Sequence, residues 1–363
     1  MTGFSEDQLA RLRLIRSDNV GPVTYFQLLA RYGSAKAALD AIPDLAARGG
    51  GRPPRIAPRA AIEREMERVA ALGARYLFLG QGLYPPLLAE LDTAPPALIA
   101  KGQFSLLDMP AIAMVGARNA SAAACRFARQ LAQDVAGGGA VVVSGLARGI
   151  DTAVHDGALE GGTIAVIAGG IDVYYPPENE ARQKAISERG LLIAEQPPGV
   201  QPHARHFPYR NRIIAGLSHG TVVLEAAPRS GSLITARYAA EFGRDVMAVP
   251  GSPIDPRAQG CNGLIRDGAT LIQNAEDVLE TIRPFHLRPL AQVGRDYAAP
   301  AAAPDASEKE RRVVLDLLSP TAVSVDEVIR QAELPPAIVH MVLLELELAG
   351  RLERHAGAKV SLA

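Results

Sequence analysis

Five arginines, Arg205, Arg210, Arg212, Arg229 and Arg237, lie between His203 and Arg237 with three histidines and one acid, Glu225. Within a chain of 38 basic and 39 acidic residues, this local excess suits a phosphate site better than a general polyanion coat. The segment HFPYRNRIIAGLSHG (206–220) places Arg210, Asn211 and Arg212 at the start of a helix, just after Phe207 and Tyr209. Cations for phosphate beside aromatic faces for bases are what single-stranded nucleic acid requires, at about 1–3 kcal/mol per stacked base. The competing reading packs Phe207 and Tyr209 into a core and pairs the arginines with Glu195 or Glu225. For the rings both readings stay open, whereas the shortage of acids favours phosphate for the arginines.

Further candidates follow directly on apolar runs. They are Gly116-Ala117-Arg118, Ser144-Gly145-Leu146-Ala147-Arg148-Gly149, Gly169-Gly170, Arg229-Ser230-Gly231-Ser232 and Pro250-Gly251-Ser252. Glycines admit an anion to backbone N–H groups, hydroxyls add donors and arginines add charge. The preceding runs are AIAMV (111–115), AVVVS (140–144), TIAVIA (163–168), LLIAE (191–195), TVVLEA (221–226), DVMAV (245–249) and ATLI (269–272). Strands that are nearly all apolar belong in a parallel sheet buried on both faces. Their alternation with segments of helical spacing predicts an α/β domain, a Rossmann-like doubly wound and mostly parallel sheet. Ligands bind such sheets at the carboxyl ends of the strands, where these loops lie, so the loops form a phosphate-binding rim.

Other chemistries lack their parts. The first strand is not followed by GxGxxG, and GxxxxGK[ST] does not occur, so no dinucleotide or ordinary ATPase site is expected. No hydrolase nucleophile elbow is expected either. Asp151 and His155, in GIDTAVHDGAL, read as a helix cap and a surface histidine rather than a metal or acid–base pair. Cys125 and Cys261 are the only cysteines and have neither metal nor redox spacing, so no cofactor or metal is expected. No apolar run reaches the roughly 20 residues of a membrane span. The first residues, MTGFSEDQLARLRLIRS, lack the apolar core of a signal peptide. The expected location is cytoplasmic.

Either side of the α/β domain the pattern is helical. Residues 1–75 form a small helical domain resembling a SAM or helix-hairpin-helix unit, with a cap at Ser5, a Gly-Pro turn at Gly21-Pro22 and a mobile loop over 48–60. The α/β domain spans 76–284, a Pro/Ala-rich linker 285–306, and a winged-helix-like module 307–363. The helix in the module's recognition position, PPAIVHMVLLELELAG, holds Glu345 and Glu347 and no Lys or Arg. It is therefore expected to pack or to meet protein rather than enter a DNA groove.

The blocks MVGARNAS, VVSGLARGIDTAVHDGAL, AVIAGGIDVYYPPEN, HFPYRNRIIAGLS, VVLEAAPRSGSLITARYAAEFGRDVMAVPG and GCNGLIRDGA resemble, in this order, the DNA processing A (DprA/Smf) family over about residues 83–275. The resemblance implies a non-enzymatic protein that binds single-stranded DNA, protects incoming strands in natural transformation and helps load the recombinase RecA. It also implies a homodimer formed through the Rossmann-like domains. Carried over by motif, the DNA-binding residues are Gly116, Arg118, Ser144, Gly145, Arg148, Arg210, Asn211, Arg212, Ser230, Gly231 and Ser232, with Phe207 as a stacking candidate. Ala117 stands where the family more often has serine, which removes one hydroxyl donor. The alternative is a nucleotide-processing enzyme, phosphoribohydrolase-like, using the same rim with Glu225 or Asp151 as its acid–base group. Against it, AAPRSGSLITA replaces the PGGxGTxxE motif of those enzymes.

Overall fold

The computed structural model describes residues 4–282, 305–355 and 357–363. Most of the linker expected at 285–306 lies outside these residues. The chain divides into two compact units, one of residues 65–294 and one that combines 1–64 with 295–363.

The first unit begins with β1 (Arg75–Phe78), α5 (Pro86–Ala89) and β2 (Ala97–Gly102). The alternating part follows as β3 (Ala111–Val115), α6 (Ala122–Gly137), β4 (Val141–Ser144), α7 (Ile150–Ala158), β5 (Thr163–Ile167), α8 (Glu180–Arg189), β6 (Leu191–Ala194), α9 (His206–Gly216), β7 (Gly220–Val223), α10 (Ser232–Glu241), β8 (Asp245–Ala248), α11 (Gln259–Arg266), β9 (Thr270–Leu271) and α12 (Ala275–Ile282). The sheet order is β1-β2-β6-β5-β4-β3-β7-β8-β9. From β6 to β9 all neighbours are parallel, while β1 and β2 extend the sheet antiparallel. Each strand from β3 to β7 is buried along its whole length. That is the condition under which an all-apolar run is stable, because helices cover both faces. One layer packs Ile112, Met114, Val142 and Val222 against Leu131 and Val135 of α6 and Val154 of α7. From β3 the chain builds strands outward to β6 and then returns to lay β7 on the other side of β3, so the switch point falls between β3 and β7. No described helix is long and apolar enough to cross a membrane.

The second unit is made from both ends of the chain. It contains α1 (Glu6–Ile15), α2 (Pro22–Tyr32), α3 (Ala35–Arg48), the start of α4 (Arg59–Ala71), α13 (Glu308–Asp316), β10 (Val323–Ser324), α14 (Val325–Ala332), α15 (Pro336–Leu348), β11 (Leu352–His355) and β12 (Lys359–Leu362). Ser5 closes a capping box on α1, as its sequence suggests. The strands form a three-stranded antiparallel sheet that completes a winged helix. One side of α15 carries Ile338, Val339, Val342 and Leu343 into the core with Val314, Val328 and Val360. Its other side carries Met341, Leu344 and Leu348 into a core with Leu14, Tyr25, Leu28, Ile42 and Leu45 of the N-terminal helices. Gly49 and Gly51 pack their Cα atoms on the backbone of Glu345 and Ala349, where a Cβ would collide. Asn19 Nδ2 donates to the Leu348 carbonyl at 3.2 Å, and Arg351 Nη1 to the Gly49 carbonyl at 3.0 Å. The stretch 48–60 therefore differs from the mobile loop its composition suggests. It is held against α15 at one end, and at the other by the Ala57 N–H, which donates to Ser17 Oγ at 3.0 Å.

Candidate nucleic-acid interface

The loop between β4 and α7 is the best-defined part of the rim. Leu146, fully buried, sits in the left-handed region at φ 56°, a conformation a leucine keeps only when its surroundings impose it. Asn179 Nδ2 donates to the Leu146 carbonyl at 3.0 Å, and Thr152 Oγ1 to the Ala147 carbonyl at 2.8 Å. Asp151 Oδ2 accepts the Ala147 N–H at 3.3 Å. Gly149, at φ 73°, passes so close to the Ala117 and Arg118 carbonyls that only glycine fits. Ala117 N–H in turn donates to the Glu225 carbonyl at 2.7 Å, joining the ends of β3 and β7.

Above these loops lies a pocket of about 340 Å³, lined among others by Arg118, Gly145, Arg148, Tyr175, Phe207 and Arg210. That volume lies at the lower end of the range for small-molecule sites. None of its lining residues is an acid. Arg118 is exposed, and its guanidinium carbon lies 4.8 Å from the centre of the Phe207 ring. Such a cation–π contact contributes about 0.5–2 kcal/mol and holds the charge at the mouth. The Tyr175 ring tilts against Phe207 at 5.8 Å and is 44% exposed, which leaves an aromatic surface open to a base. Arg210 is buried and comes up directly beneath Gly145, where any Cβ would collide with its Nη1. The carboxylate nearest to it is Asp151, at 3.9 Å, and its Nε has no hydrogen-bond partner among the described residues. Burial lowers the Arg210 pKa to about 10, against the opposing pull of Asp151, and leaves the group charged at neutral pH. Burial also raises the pKa of Asp151, with Arg210 acting the other way.

The expected site residues thus separate. Arg118, Gly145, Arg148, Phe207 and Arg210 converge on the pocket. Arg148 spends its charge on an ion pair with Glu178. Gly116 packs against the Ile150 side chain, 2.6 Å from where its Cβ would lie, and so supports the loop from behind. Ser144 is fully buried and donates to the Met114 carbonyl at 2.7 Å, so its hydroxyl does not face a ligand. Arg212 is a correction. It is buried, donates to the Thr93 carbonyl at 2.6 Å and pairs with Glu195 at 2.5 Å, and therefore fastens α9 to the body of the domain. Asn211 donates to the Gly231 carbonyl at 3.3 Å, and Ser230 and Ser232 bond each other at 2.7 Å at the start of α10, outside the pocket lining.

Both acid–base candidates are engaged. Glu225 accepts the Ser121 N–H at 2.9 Å and the Ser121 hydroxyl at 2.7 Å, clamping β7 to the N-terminus of α6. Asp151 is held by the Ala147 N–H beside Arg210. His155, expected at the surface, is buried, with Nδ1 at 2.8 Å from Thr163 Oγ1. The stretch Gly216-Leu217-Ser218-His219-Gly220 does match GxSxG, contrary to the expectation that no such candidate exists. It lies before β7 rather than after a strand, and Ser218 is fully buried and donates to the Ile214 carbonyl at 3.0 Å, so it forms no nucleophile elbow. Tyr175 is among the pocket residues that the sequence reading passed over, with Asn119, Val173, Pro176 and Pro202. The only signal of Tyr175 was an aromatic pair before proline in VYYPPEN.

The chain thus combines a doubly wound α/β domain, with a cationic, aromatic pocket at its strand ends, and a winged helix. The family model described as DNA recombination-mediator protein A matches residues 75–283, more than half of the chain. A DprA-like N-terminal HHH domain matches 5–68 and a DprA winged helix domain matches 298–358. The chain belongs to the DNA recombination-mediator protein A (DprA/Smf) family. It is 48% identical over 198 residues to DNA processing protein DprA of Streptococcus pneumoniae, covering 54% of this chain and 70% of that protein. Against protein Smf of Escherichia coli it is 36% identical over 311 residues, 84% of this chain and 82% of the relative. The X-ray structure of the S. pneumoniae protein superposes with a TM-score of 0.66 at 37% identity, covering 77% and 98% of the two chains. The structure of DNA processing protein A from Helicobacter pylori, described for its single-stranded DNA binding mode, gives 0.53 at 29% identity, covering 58% and 95%.

Proposed function

We propose that this protein binds single-stranded DNA in the pocket at the strand ends and acts as a recombination mediator. In this reading it protects incoming strands and helps load RecA, as a cytoplasmic homodimer joined through its Rossmann-like domains. The observation that carries the reading is the exposed Arg118 guanidinium resting on Phe207 above the buried Arg210, in a pocket whose lining has no acid. Arg118 and Arg210 supply charge to a phosphate, and Phe207 and Tyr175 offer rings to a base. Charge on phosphate and rings stacked on base faces carry no base-edge readout, which favours binding with little sequence preference. The H. pylori relative's described DNA binding mode supports the same partner. The enzyme alternative is weakened because Glu225 and Asp151 are bound into the scaffold.

A fluorescent single-stranded oligonucleotide titrated across a salt series tests this. Wild type is expected to bind tightly, with affinity falling steeply as salt rises. Arg118→Ala should bind at least tenfold more weakly, with a salt slope smaller by about one counterion. Equal binding and slope for the two proteins would refute the assignment.

A further inference from the structure

Three arginines line the pocket, and their charges stand in different states. Arg118 rests on the Phe207 ring, and Arg210 is buried 3.9 Å from Asp151. Arg148 is paired directly with Glu178, a carboxylate that is not itself part of the lining. The hydrogen bond between them raises the Arg148 pKa and lowers that of Glu178. Glu178 sits in the short turn Pro177–Asn179, directly after Tyr175 and Pro176, which form part of the pocket wall. Asn179 Nδ2 ties that turn to the β4–α7 loop, donating to the Leu146 carbonyl at 3.0 Å and, at the start of α7, to Thr152 Oγ1 at 3.0 Å. The nearby Arg182, 3.4 Å from Asn179 Oδ1, is committed to Asp156 at 2.7 Å, which leaves Glu178 to Arg148.

Both members of the pair are open to water, with 63% of the Arg148 side chain and 47% of the Glu178 side chain exposed. An exposed pair of this kind contributes a factor of about five at most to an equilibrium, so a competing anion can exchange with the carboxylate. A phosphate is such an anion, since it presents oxygens to the same guanidinium fork. We propose that Glu178 competes with the phosphate of a bound strand for Arg148, and so holds the pocket's affinity below what its three arginines could reach. The proposal rests on the function inferred above. An entering phosphate takes Arg148 from Glu178, and the freed carboxylate recruits a counterion from solution. When the strand leaves, the pair forms again. Weaker binding and easier release suit a protein that passes its strand on.

The test titrates the full-length protein with a fluorescent oligothymidylate across a salt series. Glu178→Gln keeps the side chain's size and removes its charge. It should tighten binding roughly three- to fivefold at low salt. Its salt slope should steepen by about 0.7, the value of one further phosphate contact on a single strand. Adding Arg148→Gln to it restores the local charge balance and should return affinity and slope to wild-type values. Glu180→Gln removes the same charge from a carboxylate paired with Lys184 outside the pocket lining, and should bind like wild type. All three side chains are exposed, so the variants should fold, which circular dichroism checks. If Glu178→Gln binds like wild type while Arg118→Ala binds more weakly, the pocket stands and the inference is overturned. An equal gain from Glu180→Gln, or a gain that survives Arg148→Gln, overturns it too, since net charge alone would then explain the effect. If Arg118→Ala changes nothing, the pocket reading itself fails.

Discussion

Arg210 and Arg212 stand two residues apart on one helix and do different work. A separation of two residues turns a side chain about 200° around a helix, so the two must face opposite ways. Arg210 meets the pocket, and Arg212 meets Glu195 and Thr93. Glu195 was a candidate partner in the sequence, 17 residues away, but counting acids does not say which of the two arginines it meets. Arg212→Gln should lower unfolding stability in urea by roughly 3 kcal/mol, by leaving a largely buried carboxylate unpaired. DNA affinity of the folded fraction should stay near wild type. Arg210→Met should do the reverse, losing affinity with a smaller loss of stability. His155 was misplaced for a related reason, since nothing in GIDTAVHDGAL shows that its ring turns inward to Thr163. Burial lowers its pKa to about 3, from an ordinary value of about 6.5. Below pH 6.5 the unfolded chain takes up a proton that the folded protein refuses, so this contribution to stability is present above pH 6.5 and lost as pH falls toward 3. His155→Asn retains a donor for the Thr163 hydroxyl and should flatten the fall in stability between pH 6.5 and 5. An unchanged slope would contradict the assignment.

The elements of the α/β domain were largely legible because their burial is simple. Each of the seven apolar runs became a strand: β3 keeps its run whole, β4, β5, β6 and β8 lose one residue and β9 two, while β7 begins one residue early and loses three at its end. The strands β1 and β2 were not anticipated. They pair antiparallel at the margin of the sheet, and RYLF mixes exposed with buried positions, so no continuous apolar signal marks it. For α15 the absence of Lys and Arg did carry information. Glu345, fully buried, accepts two bonds from Arg311 at 2.8 and 3.0 Å, and Glu347 pairs with Arg354 at 2.7 Å. The helix is a structural spine with apolar groups on both sides. Leu344→Ala removes packing on the side that faces the N-terminal helices and should cost about 2–5 kcal/mol in that unit. Limited proteolysis should then cut the N-terminal helices and the winged helix together. Cleavage of one with the other intact would show that their shared core is not cooperative.

At the scale of the whole chain, both ends belong to one compact unit while the cationic pocket is built from the other. Reading along the sequence yields two terminal modules, since periodicity reports which face of a helix is buried and not what buries it. The shared core around Leu14, Ile42 and Leu344 was therefore invisible until the fold brought residues 300 positions apart into contact. Removing 307–363 is accordingly no clean test of the winged helix, because it strips the cover from the N-terminal helices. Placing the strand on the intact protein is more direct. A single-stranded oligonucleotide carrying 5-iodouracil, photocrosslinked to the full-length protein and mapped by peptide mass spectrometry, should give adducts at Phe207 or Tyr175, the rings open in the pocket. Adducts confined to residues 4–58 or 307–363 would contradict the central claim that the strand ends of the Rossmann-like sheet hold the DNA.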